Sequence, residues 1–112
     1  MFGQVSKLIY SWSLCDNRLP RLISLGDIKG DLHSHTNETD GKETLETMVH
    51  AAIERGYEYL AITDHSKRLA ITNGLDEKRL FKQIKAIDKL NSSIKNFVIL
   101  KSIGEYFRRW FP

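Results

Sequence analysis

The chain is 112 residues long, with 41% hydrophobic and 28% charged residues and a formal net charge of +3 at pH 7. Those figures allow one small domain or a piece of a larger one, and they suggest neither an intrinsically disordered chain nor a fibrous repeat. The single cysteine, Cys15, excludes an intramolecular disulfide and a CxxC zinc ribbon, which makes a reducing cytoplasm the default location.

Residues 1–18 carry scattered aromatics, Phe2, Tyr10 and Trp12, without a period, and Gln4, Ser6 and Lys7 interrupt any apolar run. This stretch has neither a signal peptide's apolar region nor the roughly 20 apolar residues of a membrane span, so it reads as a leader or the remnant of a preceding domain. From Leu19 to Lys29, turn formers at Pro20, Gly26 and Asp27 mark a linker into a strand from Ile28 to His33. Leu45, Met48, Val49, Ala52 and Ile53 then recur at helical spacing, with Thr44 placed to cap and Gly56 to terminate, which predicts a helix over 44–55.

Tyr57 to Thr63 reads as a short strand buried on both faces, bounded by Gly56 and a polar cluster. A polar loop from Ser66 to Gly74 leads to Asp76, an N-cap for a second helix that runs to about Leu90 on Leu80, Phe81, Ile84 and Ile87. Phe97 to Lys101 is the third strand. The order β, α, β, α, β opens a parallel α/β sheet or barrel.

The segment above background is Asp31-Leu32-His33-Ser34-His35-Thr36, followed closely by Asp40-Gly41. Alternation along a strand puts His33 and His35 on one side, so both imidazoles can reach one ion. A second constellation, Thr63-Asp64-His65, falls where the second strand ends. Parallel α/β folds gather ligands at that edge, so the three imidazoles should converge there. Imidazole with carboxylate suits Zn, Mn or Fe, and an open position on such an ion can generate a hydroxide nucleophile near neutral pH.

Blander readings stand beside these. An HxH pair can be merely hydrogen-bonded, His65 can be a capping histidine, and Asp64 a turn former. His50, mid-helix and away from the strand ends, reads as a surface residue. Lys67 and Arg68 could hold a phosphate oxygen or belong to a solvated loop. Lys78, Arg79, Lys82, Lys85 and Lys89 could track a nucleic-acid backbone, but with Asp76, Glu77 and Asp88 nearby a charged outer face is the simpler reading.

DLHSHT, then TDG, then AITDH is the motif order of the polymerase and histidinol phosphatase (PHP) superfamily, which the chain resembles over about residues 19–103. The stretches LPRLISLGDIKGDLHSHT, MVHAAIERGYEYLAITDHSK and NGLDEKRLFKQIKAIDKLN look like the PHP domain of bacterial X-family DNA polymerases. The resemblance implies the amino-terminal β-α-β-α-β portion of a distorted (β/α)7 barrel with up to three ions, usually Mn or Zn. It implies His33, His35, Asp40 and His65 as metal ligands, with Asp64 supporting them. The family's next ligand is a glutamate in a segment like LKGIE, whereas Leu100-Lys101-Ser102-Ile103 is followed by Gly104 and then Glu105. Glu105 is the nearest match, but a one-residue shift turns a strand side chain to the opposite face.

The divergent tail over 104–112 and the missing later motifs imply a truncated domain, whose open sheet edge a second chain could complete. The implied parent activity is phosphoester hydrolysis on DNA, with 3′–5′ exonuclease action the leading form. A small-molecule phosphatase of the histidinol-phosphate type and a catalytically inactive module are the alternatives.

Overall fold

The computed structural model describes residues 20–105. The sequence's leader over 1–18, Cys15 and the tail from residue 106 onward lie outside these residues. Three strands, β1 (Gly30–Ser34), β2 (Tyr59–Ile62) and β3 (Val98–Lys101), alternate with two helices, α1 (Leu45–Glu54) and α2 (Glu77–Ser93). The strands form one parallel sheet in the order β1-β2-β3, a mixed α/β arrangement in which each helix crosses over between neighbouring strands.

Local chemistry sets the helix limits. Thr44 Oγ1 accepts the amide of Thr47 at 3.2 Å and starts α1, which buries Leu45, Val49 and Ala52. Gly56 at φ +80° ends it, with its own amide on the Ile53 carbonyl and the Tyr57 amide on that of Ala52. This paired closure needs the left-handed conformation that glycine adopts at no steric cost. Asp76 Oδ1 accepts the Arg79 amide at 2.8 Å and starts α2 in the same manner.

The core joins Leu45, Val49 and Ala52 of α1 to Leu60 and Ile62 of β2, Ile87 of α2, and Phe97 and Ile99 at β3. As the middle strand, β2 is bonded on both edges, and Leu60, Ala61 and Ile62 are all buried, as expected of a strand covered on both faces. Phe81, expected on the apolar face of α2, is instead 63% exposed, while Gln83 is buried. The helix also continues past Leu90 to Ser93, so Leu90 and Ile94 complete the face that packs on the core.

β1 begins later than its apolar residues suggest and extends through Ser34. Gly30 pairs with Tyr59 and Asp31 with Leu60, yet Ser34 pairs with Ile62, so β1 carries one extra residue. Asp31 Oδ1 accepts the His33 amide at 2.8 Å, a local bond that draws this amide away from the ladder and bends the strand. Among the described residues no helix is long and apolar enough to cross a membrane.

Ile62 is fully buried at the centre of this core. Ile62→Ala should lower unfolding stability by about 2–5 kcal/mol, measured by urea denaturation. A loss under about 1 kcal/mol would show that the sheet does not depend on this packing.

Candidate metal centre

The carboxyl ends of β1 and β2 are tied together before any functional side chain is placed. The Thr63 amide donates to the Ser34 carbonyl at 2.8 Å, and Thr63 Oγ1 donates to the same oxygen at 3.0 Å. Ser34 Oγ in turn donates to the Ala61 carbonyl at 2.6 Å. With Ser34 turned into the sheet and buried, His33 and His35 on either side of it turn out toward the open edge. Their Nε2 atoms lie 3.0 Å apart, close enough to share one proton.

Asp64 is buried completely and accepts four hydrogen bonds. Thr36 contributes its amide at 2.7 Å and its hydroxyl at 2.5 Å, Thr39 its hydroxyl at 2.7 Å, and Gln83 its amide side chain at 2.6 Å. The carboxylate thus fastens the turn that follows β1 to the end of β2 and to α2. Donors on every side compensate the cost of burying its charge.

That turn carries Asp40. The amides of Thr39 and Gly41 both donate to the Thr36 carbonyl, at 3.2 and 2.9 Å, and curl the chain back on itself. A β-carbon at Gly41 would stand 2.5 Å from the His35 carbonyl oxygen, so the curl closes only with glycine. Asp40 is thereby aimed between two imidazoles: Oδ1 lies 3.3 Å from His35 Nδ1 and Oδ2 3.2 Å from His65 Nε2. The rings of His35 and His65 stack with centroids 4.6 Å apart.

One donor atom from each of His35, Asp40 and His65 falls within 4.8 Å of the others. Nδ1 of both His35 and His65 is buried without a hydrogen bond. The 3.3 Å approach of Asp40 to His35 Nδ1 is therefore an electrostatic contact whose angle is poor for a proton-mediated bond. His35 Nδ1, a buried imidazole nitrogen without a partner beside a carboxylate, fits a cation better than a closed hydrogen-bond network, whereas on His65 the nitrogen that faces Asp40 is Nε2 and the unpartnered one is Nδ1.

His33 adjoins this group through His35 and is itself exposed. Glu105 is exposed and does not belong to the group; it borders a separate hollow with Lys67 and Arg68. Gly104 explains the placement of that segment: its amide donates to the Asp64 carbonyl at 2.8 Å and it bridges to His65. Lys67 is engaged by Glu77, whose carboxyl is held below its usual range first by the hydrogen bond from Lys67 and then by its own backbone amide. Arg68 and His50 are both exposed.

Sequence reasoning missed Thr36, Thr39 and Gln83, and it grouped Arg79 with the lysines on a charged outer face, whereas Arg79 is half-buried. Gln83 offered a signal, since it is a polar residue at helical spacing between Leu80 and Ile87 on the core side. Arg79 donates to the carbonyls of Asn73 and Gly74, at 2.9 and 3.3 Å, and to that of Glu38. It links the loop after His65 to the turn that bears Asp40. Asp31, an acid inside a strand, signalled the irregularity of β1.

Residues 31–102 match the family model of the PHP domain. The chain belongs to the PHP domain family. It is 51% identical over 82 residues, 73% of its length, to the DNA polymerase/3'-5' exonuclease PolX of Bacillus subtilis, and this covers 14% of that protein. It is also 51% identical over 47 residues to the 5'-3' exoribonuclease Rnm of Salmonella typhimurium, and 49% identical over 47 residues to that of Escherichia coli. Each of those matches covers 42% of this chain and 16% of the relative, so the chain spans a small fraction of the relatives' length. PHP domains are metal-dependent, and the kinship supports a phosphoesterase-type function in general. The parallel sheet is compatible with part of a PHP fold.

Asp64→Ala removes the acceptor for buried donors on three residues and should cost about 3–5 kcal/mol of stability in urea denaturation. A loss under about 1 kcal/mol would mean that these donors find other partners.

Proposed function

We propose that this PHP chain carries part of the site of a metal-dependent phosphoesterase acting on nucleic acid, with 3′–5′ exonucleolytic hydrolysis of DNA as the leading activity. The grouping of His35, Asp40 and His65 at the carboxyl ends of β1 and β2 carries this reading. The PolX relative supports the choice of DNA through its name as a 3'-5' exonuclease. The sheet is then the opening of the distorted (β/α)7 barrel, with ligands at the edge where parallel α/β folds bind them.

In this reading His33, His35, Asp40 and His65 hold Mn2+ or Zn2+. A divalent cation bound there supplies Lewis acidity toward phosphoryl oxygens and makes bound water a stronger acid. The protein's own contribution is placement. Asp64 holds the turn that aims Asp40, and the Ser34–Thr63 bonds set the spacing between the two histidine-bearing strand ends. Lys67 and Arg68, on the loop just after His65, line a hollow separate from the metal group and in this reading would meet a substrate phosphate that extends beyond it. Lys67 would have to leave Glu77 to meet it.

A second reading concerns polarity and sugar. The Rnm relatives are named as 5'-3' exoribonucleases, and their matched stretch is as similar as that of PolX but shorter. An RNA substrate degraded from its 5′ end is the outcome that would favour it.

The purified chain should retain Mn or Zn through dialysis at neutral pH and lose it to a chelator. His65→Ala should abolish both retention and Mn-dependent release of nucleotides from end-labelled DNA. Full activity in that variant would reject His65 as a ligand, and labelled products arising only from RNA would redirect the substrate.

A further inference from the structure

α2 turns a row of lysines to solvent. Lys78, Lys82, Lys85 and Lys89 follow one another at alternating intervals of four and three residues, and all are exposed. The core side of the same helix is occupied by Gln83, Ile87, Leu90 and Ile94, so the lysine row lies on the opposite face. Four residues in this pattern run about 16 Å along the axis at the helical rise.

A row of lysines on an outer face is often neutralised by acids on neighbouring turns. Here the two acids of α2 are taken by cations off the helix. Glu77 pairs with Lys67, and Asp88 pairs with Lys101 at 2.7 Å. Among the described residues no carboxylate lies within ion-pair distance of any of the four lysines. Among these residues the row is a strip of unpaired positive charge.

Phe81 lies beside this strip, within one helical turn of Lys78, Lys82 and Lys85, and 63% of it is exposed. A large aromatic ring in water on a helix whose apolar stripe is elsewhere has no role in the core. Cations in a row with an exposed ring among them form the arrangement that holds a single-stranded nucleic acid, the cations on phosphates and the ring under a base. One lysine of the strip also borders the turn after β1: Lys82 lines a hollow with Asn37, Glu38, Glu46, Arg79 and Gln83, and Asn37 and Glu38 belong to the turn that carries Asp40.

We propose that the outer face of α2, through Lys78, Lys82, Lys85, Lys89 and Phe81, is a docking track for single-stranded nucleic acid running up to the turn that bears Asp40. The choice of polyanion rests on the nucleic-acid reading above, whereas binding to the track needs no metal.

The test is equilibrium binding of the whole chain to a fluorescent single-stranded oligonucleotide, in chelator, over a series of salt concentrations. Each lysine that neutralises a phosphate contributes about 0.7 to the slope of log affinity against log salt. Replacing all four lysines by Gln should lower the slope by about 2.8, whereas Lys29→Gln, before β1, should leave it unchanged. Phe81→Ala should weaken binding about tenfold without changing the slope. Circular dichroism of each variant checks that the exposed substitutions leave the fold intact.

An unchanged slope in the fourfold variant, an unchanged affinity in Phe81→Ala, or tighter binding to anionic lipid vesicles than to the oligonucleotide would overturn the proposal. Because metal is absent throughout, failure here leaves the hydrolytic reading standing. Loss of hydrolysis in His65→Ala leaves the track standing in turn.

Discussion

A fully buried carboxylate at Asp64 is the constraint on which the rest of this structure depends. An unpaired charge in such a place would cost several kcal/mol, and the fold offsets that cost by bringing donors from two segments to it. Thr36 and Thr39 come from the turn after β1, and Gln83 comes from α2. Satisfying this one group therefore fixes the turn, the second strand and the second helix against one another. The next residue is His65 and the turn bears Asp40, so the same bonds that settle the buried charge also settle the distance between two prospective ligands.

Strand geometry does the complementary work. Alternation alone would direct His33 and His35 to one side, and their rings do meet, but β1 is not a regular strand. Asp31 holds the His33 amide and the ladder slips by one residue before Ser34. Re-aiming a side chain at a strand end is a recurrent use of such bulges. Here the extra residue lets β1 bond to β2 up to its last residue while the histidines leave the sheet. Arg79 works on a larger scale, joining the loop after His65 to the turn before α1 through three main-chain carbonyls.

The helices, the three strands and their parallel order were legible because hydrophobic spacing and capping residues act locally. Thr44, Gly56 and Asp76 mark helix limits by chemistry that needs no distant partner. The HxH pair and the TDH segment were legible as places where ligands could gather, since strand ends in a parallel sheet share an edge. Gln83 and the two threonines were not, because their partner lies about twenty to thirty residues away and only the folded chain brings it to them. Phe81 was misplaced for a related reason. Its spacing fits an apolar face, but α2 rotates to bury Gln83 on Asp64 and leaves the ring in water. The satisfaction of a buried charge outweighed one aromatic contact.

The central claim is that imidazole nitrogens from two strand ends and one carboxylate share a cation. X-ray absorption at the zinc edge of the zinc-loaded chain tests it most directly, because imidazole rings scatter beyond the first shell in a way that water and carboxylate do not. The account predicts nitrogen and oxygen ligands at about 2.0–2.2 Å with scattering from more than one imidazole. A first shell of oxygen alone, with no imidazole signature, would contradict it.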